Sequence, residues 1–201
     1  MWRSVSRLGV LVVALAVVPS LLLASPIVIT FDTLSDSDAI TNQFPGLTFS
    51  DAVILTSGVS LNEFEFPPFS GENVASDAGG PMTIDFAQPI SDFGGYFTYS
   101  VPLVLKAFDS TNVFLGSASS LFSSNELLSG DVGSSPNELL QLALSSISRV
   151  TITGGEFGGS FTLDNLTYTQ SEAVPEPGTF GLVLLGGLSW LRWRRARKRF
   201  T

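Results

Sequence analysis

From Pro26 to Tyr168 the apolar residues recur with a period of two rather than 3.6, in short runs separated by Gly, Pro, Asn and Asp. Successive side chains of a strand point to opposite faces, so this alternation prescribes half-buried strands and excludes a helical bundle. In Thr83-Ile84-Asp85-Phe86 and Arg149-Val150-Thr151-Ile152-Thr153 the pattern is clean, as antiparallel strands with one wet face require. Strands are predicted near Ile27–Phe31, Leu47–Leu55, Met82–Phe86, Phe93–Ser100, Leu103–Asp109, Val113–Ala118, Leu139–Leu144, Ile147–Thr153 and Phe161–Tyr168. Leu139–Leu144 also suits a single helical turn. Residues 116–136 hold eight serines in 21 and read as a long loop with a weak strand inside it. The expected fold is all-β, with two antiparallel sheets packed face to face.

The chain has 201 residues, room for one such domain and short flanking segments. Sixteen Phe in a chain that is 44% hydrophobic are enough to fill its core. There is no Cys and no His, which removes disulfides, thiolate zinc sites, cysteine nucleophiles and every Ser-His-Asp arrangement. Charge is sharply partitioned. Only Lys106 and Arg149 of the ten basic residues lie between Ser25 and Leu191, whereas all 18 acids do, so that stretch carries 2 − 18 = −16. Phosphate backbones would be repelled, and nucleic acid is not an expected partner.

The ends have a different composition. Residues 1–24 join Arg3 and Arg7 to an apolar run from Leu8 to Ala24, the layout of a secretory signal peptide, with an uncleaved amino-terminal anchor as the alternative. Near the other end Phe180–Leu191 is apolar and is followed by Arg192, Arg194, Arg195, Arg197, Lys198 and Arg199. Twelve helical residues span roughly 18 Å, short of a hydrocarbon core of about 30 Å, so a transmembrane helix over about 179–193 needs snorkelling arginines and Trp193 at the headgroups. The basic cluster marks the cytoplasmic side, which leaves the acidic body, residues 25–168, translocated and joined through a short linker, 169–174. Directly before the helix stand Pro175, Glu176 and Pro177, a stiff, solvated segment open to a protease.

This order of Pro-Glu-Pro, short apolar helix and terminal arginine cluster resembles the PEP-CTERM sorting signals and covers about the last 28 residues. The resemblance implies a bacterium that makes extracellular polysaccharide, and processing by an exosortase, a membrane-embedded enzyme. The chain would be anchored in the inner membrane first, then released to the cell surface or the extracellular matrix. Ile29-Thr30-Phe31-Asp32, Gly46-Leu47-Thr48-Phe49 and Phe161-Thr162-Leu163-Asp164-Asn165-Leu166-Thr167-Tyr168 resemble bodies found ahead of such signals. That second resemblance implies a jelly-roll-like β-sandwich similar to carbohydrate-binding modules, with its first and last strands adjacent.

Three local features bear on a site. Phe161 and Leu163 share one parity and Leu166 and Tyr168 the other, so the inward face of the last strand must switch around Asp164-Asn165, as a β-bulge allows. Asp164 would then face Asp32 at the sandwich edge. Either the pair offers hard oxygen ligands to calcium, or both are solvated turn residues, or Asp164 accepts hydrogen bonds from nearby backbone N–H groups. Glu63 and Glu65, taken as part of an exposed strand, imitate a glycosidase pair but suit solvent better. Phe64, Phe66 and Phe69 around Pro67-Pro68 form either a sugar platform or core filler, and filler is the expectation. The function these features imply is that of an exported, non-catalytic surface or matrix protein linked to exopolysaccharide and biofilm. The alternatives are an extracellular carbohydrate-active hydrolase and an uncleaved, membrane-anchored glycan-binding protein.

Overall fold

The computed structural model describes residues 24–171. The expected signal segment, residues 1–24, lies outside them except for Ala24, as do the Pro175-Glu176-Pro177 motif, the expected carboxyl-terminal helix and the basic cluster. Among the described residues there is no helix. The architecture is the antiparallel β-sandwich that the alternation prescribes, built from β1 (Ile27–Ile29), β2 (Leu47–Ser50), β3 (Ala52–Thr56), β4 (Asn73–Asp77), β5 (Met82–Tyr99), β6 (Val104–Phe108), β7 (Phe114–Ser119), β8 (Glu138–Thr153) and β9 (Phe161–Gln170).

Two long strands hold the sandwich together because each contributes to both layers. The first part of β5 pairs with β2 (Phe49 with Ile84) and with the last part of β8 (Ile84 with Val150), and β8 continues through β6 to β7. The last part of β5 pairs with the first part of β8 (Tyr96 with Leu139) and with β9 (Phe97 with Leu163). Beyond β9 lie β4 and then β3, while β1 pairs with the later half of β9. Between the layers both long strands bend. From Asp85 to Ile90 β5 advances five residues while β8 moves two, from Arg149 to Ile147. From Ile90 to Asp92 β5 advances two while β8 moves four, from Ile147 to Ala143. Extra residues on alternate strands kink both and turn one sheet into the next. Pro89, which has no N–H for a ladder, sits in the first irregularity, and Ser146, with φ 66°, in the second.

Several predicted elements are therefore joined or divided. Met82–Phe86 and Phe93–Ser100 are one strand, as are Leu139–Leu144 and Ile147–Thr153, and the helical alternative for Leu139–Leu144 is not adopted. Leu47–Leu55 is two strands, broken at Asp51 with φ 56°. Thr169 and Gln170, expected in the linker, extend β9 by pairing with Asp92 and Ile90. The core between the layers is aromatic. Phe31 meets Phe44 and Phe49, Phe86 meets Phe93 and Tyr168, and Phe97 meets Phe161, at centroid separations of 5.4–6.3 Å in tilted or edge-on pairs, the arrangement aromatic quadrupoles favour.

Candidate functional site

The bent long strands leave the solvent side of the β9-β5-β8 layer as an open groove of about 260 Å³, lined by Asp92, Gly94, Tyr96, Leu139, Gln141 and Thr167 among others. Strand alternation explains the set: Phe93 and Phe97 turn into the core, so Asp92, Gly94 and Tyr96 face out. Gly94 keeps the floor low, because a Cβ there would stand 3.1 Å from Gln141 Cγ. Phe69, from the loop before β4, lies flat on Tyr96 with ring centroids 3.5 Å apart and planes 8° apart. Phe69 is 45% exposed and Phe64 69% exposed, so neither is the core filler that was expected. An aromatic ring beside amide, hydroxyl and carboxylate groups presents an apolar face and hydrogen-bonding edges to one ligand.

The loop that carries Phe69 is held by two carboxylates. Asp164 is buried and opposes Tyr96 across the β5–β9 ladder. It accepts the amide hydrogens of Ser70 at 2.8 Å and Asn165 at 2.6 Å, and Ser70 Oγ donates to Asn165 Oδ1 at 2.7 Å. Asp32, in the turn after β1, accepts the amides of Glu72 at 2.9 Å and Asn73 at 3.1 Å. Between these clamps Gly71 has φ 60°, and a Cβ there would collide with the Asp32 carboxylate, so the loop needs glycine for two independent reasons. The parity switch in the last strand is a bulge: from Gly94 to Tyr96 β5 advances two residues while β9 moves three, from Thr167 to Asp164, and Asn165 takes φ 46°.

Burial pushes the Asp164 carboxyl up to about 6; the Ser70, Asn165 and Phe69 amides pull it down, and the charge of Asp32 adds to the rise. The structure thus brings Asp32 and Asp164 to the same short segment, Ser70–Asn73, with backbone amides as partners of both. Among the described residues no group of three or more carboxylates is placed to hold a metal ion.

No protein-family model matches the chain, and no curated protein matches it in sequence. Solved structures do resemble it in fold. One is the K2 cleaved adhesin domain of Lys-gingipain, at 11% identity and a TM-score of 0.48, covering 73% of this chain and 100% of that one. A DUF4465 family protein from Bacteroides caccae aligns at 12% identity and a TM-score of 0.49, again over 73% and 100%. A family 6 carbohydrate-binding module aligns at 11% identity and a TM-score of 0.38, over 74% and 95%.

Glu63 and Glu65 do not form a pair on a strand. Residues 62–66 make a turn in which Asn62 O accepts the amides of Glu65 and Phe66. Glu63 accepts the Gly58 amide at 3.2 Å, and Glu65 accepts those of Leu128 and Ser129 at 3.0 and 3.2 Å, so each carboxylate pins a different loop. Tyr96, Gln141 and Asp92 were not singled out in the sequence, although Tyr96 lies outward on a strand whose neighbours Phe93 and Phe97 share the inward parity. An aromatic residue at an outward position was the available signal.

Proposed function

We propose that this is an exported, non-catalytic glycan-binding protein of the cell surface or extracellular matrix, and that the groove over β5, β8 and β9 is its binding face. The carrying observation is the Phe69–Tyr96 stack at the edge of an open groove that mixes polar groups with apolar ones such as Leu139. Sugar rings combine an apolar face with a hydroxyl rim, and an exposed ring flanked by Gln141 and Thr167 complements both. An open groove of this size suits a few units of a longer chain. The loop that supplies Phe69 is tied down after it by the two carboxylates and before it by Asn137, whose Nδ2 donates to Pro67 O at 3.1 Å, so little ordering entropy remains to be lost on binding.

Export and sorting belong to the same proposal. A signal peptide through residue 24 would deliver the body across the membrane, and an exosortase-type enzyme would process the chain near Pro175, Glu176 and Pro177, placing an exopolysaccharide-associated protein outside the cell. Support comes from the order of apolar leader, acidic body, Pro-Glu-Pro, apolar run and basic cluster in the sequence.

The test is a glycan array and titration calorimetry on the chain and on its Tyr96→Ala and Phe69→Ala variants. Base-stacking aromatics lose about 1–3 kcal/mol on truncation, and a comparable loss for a sugar makes binding at least fivefold weaker in either variant. Unchanged binding in both would remove the groove from consideration. For sorting, mass spectrometry of the mature protein from its host should lack Phe180 to Thr201, and persistence of the intact tail in a host with the processing enzyme would overturn that part.

A further inference from the structure

The charge of the groove narrows the glycan class, an inference that rests on the glycan-binding reading above. Asp92 lines the groove wall, four residues along β5 from Tyr96, and the contact to its carboxylate within the protein is a long one, from Ser91 Oγ at 3.3 Å. Among the described residues the only cations are Lys106 and Arg149. Lys106 lies on β6, in the other layer. Arg149 lies on the far half of β8, where Nε donates to Asp85 at 2.7 Å and Nη1 to Asn112 at 2.7 Å. The groove therefore combines an aromatic face, neutral hydrogen-bonding groups and one carboxylate with no basic side chain along it, in a body whose net charge is strongly negative.

We infer that the ligand is an amino-sugar glycan with free, protonated amines, of the glucosamine type. The Asp92 carboxylate accepts the ammonium hydrogens, and a ring of the same chain stacks at Phe69 and Tyr96. A charge-assisted hydrogen bond is about twice as strong as a neutral one, and an aromatic face attracts a cation as well. Uronic and sulfated glycans would meet Asp92 and the field of the acidic body without a counter-charge. Four strand residues separate Asp92 and Tyr96 by about 13 Å, so a single sugar unit cannot reach both, and an oligomer can.

The experiment titrates the full chain, in mild detergent, with glucosamine monomer, glucosamine tetramer, N-acetylglucosamine tetramer and a uronic acid tetramer at pH 6. The glucosamine tetramer should bind about tenfold more tightly than the N-acetylated one, with the uronic tetramer and the monomer far weaker. Asp92→Asn should equalise the first two. Glu156→Gln, which removes an exposed carboxylate from the β8–β9 loop, should preserve the preference. A second measurement does not depend on the variant folding: raising the pH of the wild type to 9 deprotonates an amine that titrates near about 8 and should abolish the preference, leaving N-acetylated binding unchanged. Equal binding of the two tetramers, or a preference that survives Asp92→Asn, overturns the inference. If Tyr96→Ala still weakens a neutral tetramer in that case, the glycan-binding reading stands without it. If Tyr96→Ala changes nothing, both fall.

Discussion

Asp164 shows how one residue can serve binding geometry at a cost in stability. Its carboxyl is buried at the bulge, where it fixes the loop bearing Phe69, and burial raises it to about 6 from an ordinary 3.8. Below pH 3.8 folded and unfolded chains both hold the proton. Between 3.8 and about 6 the unfolded chain releases it first, so stability falls as pH rises, and above that range the loss is complete. Asp164→Asn cannot titrate. In EDTA the difference in Tm, variant minus wild type, should therefore grow between pH 4 and 6 and then level off; a difference that stays flat across this window would show that the carboxyl ionises at its ordinary pH. The bulge beneath Asp164 was legible because a parity switch in Phe161–Tyr168 is a covalent fact of the sequence. That Asp164 accepts nearby backbone N–H groups is one of the readings the sequence leaves open, and Asn165 is such a partner; Ser70, 94 residues away, was not legible.

At the scale of elements, legibility follows the contrast between wet and dry faces. β6 and the first part of β5 alternate strictly and were read directly, whereas β2, which also alternates, was run together with β3. β4, Asn73-Val74-Ala75-Ser76-Asp77, was missed because all five residues are buried and three are polar. It lies between β3 and β9, and its polar groups are satisfied from both sides: Asn73 Oδ1 accepts from Thr56 Oγ1 at 2.6 Å, Ser76 Oγ donates to Phe161 O at 2.9 Å, and Asp77 accepts the Ser160 amide and hydroxyl at 2.9 and 2.7 Å. Such a strand shows no period, because its burial comes from tertiary neighbours. The serine-rich loop after β7 hides a comparable device. Asn125, fully buried, accepts the Tyr99 amide at 2.7 Å and donates to Phe97 O at 2.9 Å and Ser135 O at 3.0 Å, capping the end of β5. Asn125→Ala strands a buried amide and two carbonyls, and should cost about 3 kcal/mol in urea unfolding. Limited proteolysis should begin in residues 121–135 of that variant. An effect below about 1 kcal/mol would mean that the loop is held by other contacts.

Over the whole molecule, the same acidity that narrows the ligand class also works against the fold. The stretch from Ser25 to Leu191 carries −16, and the one ion pair among the described residues, Arg149 with Asp85, is some 40% exposed on both sides. It contributes little against that repulsion. Raising sodium chloride from 20 to 300 mM at pH 7 shortens the Debye length to below about 10 Å, so like charges on opposite layers stop repelling. Stability should rise, and each 1 kcal/mol gained moves Tm by about 2–4 °C for a chain of this size. Calcium chloride at matched ionic strength separates general screening from a specific site. Backbone amides already partner both Asp32 and Asp164, so the expected result is an equal gain in the two salts. A divalent ion held by the pair would instead add RT ln(1 + [L]/Kd), about 2.7 kcal/mol at a hundredfold excess. That extra shift, lost in Asp164→Ala, would make the loop clamp a calcium site and would reverse the sign of the Asp164→Asn difference at neutral pH. A Tm that does not move with sodium chloride would show that the acidic residues are spaced too widely to oppose folding, and one that falls would show that favourable carboxylate contacts outweigh their repulsion.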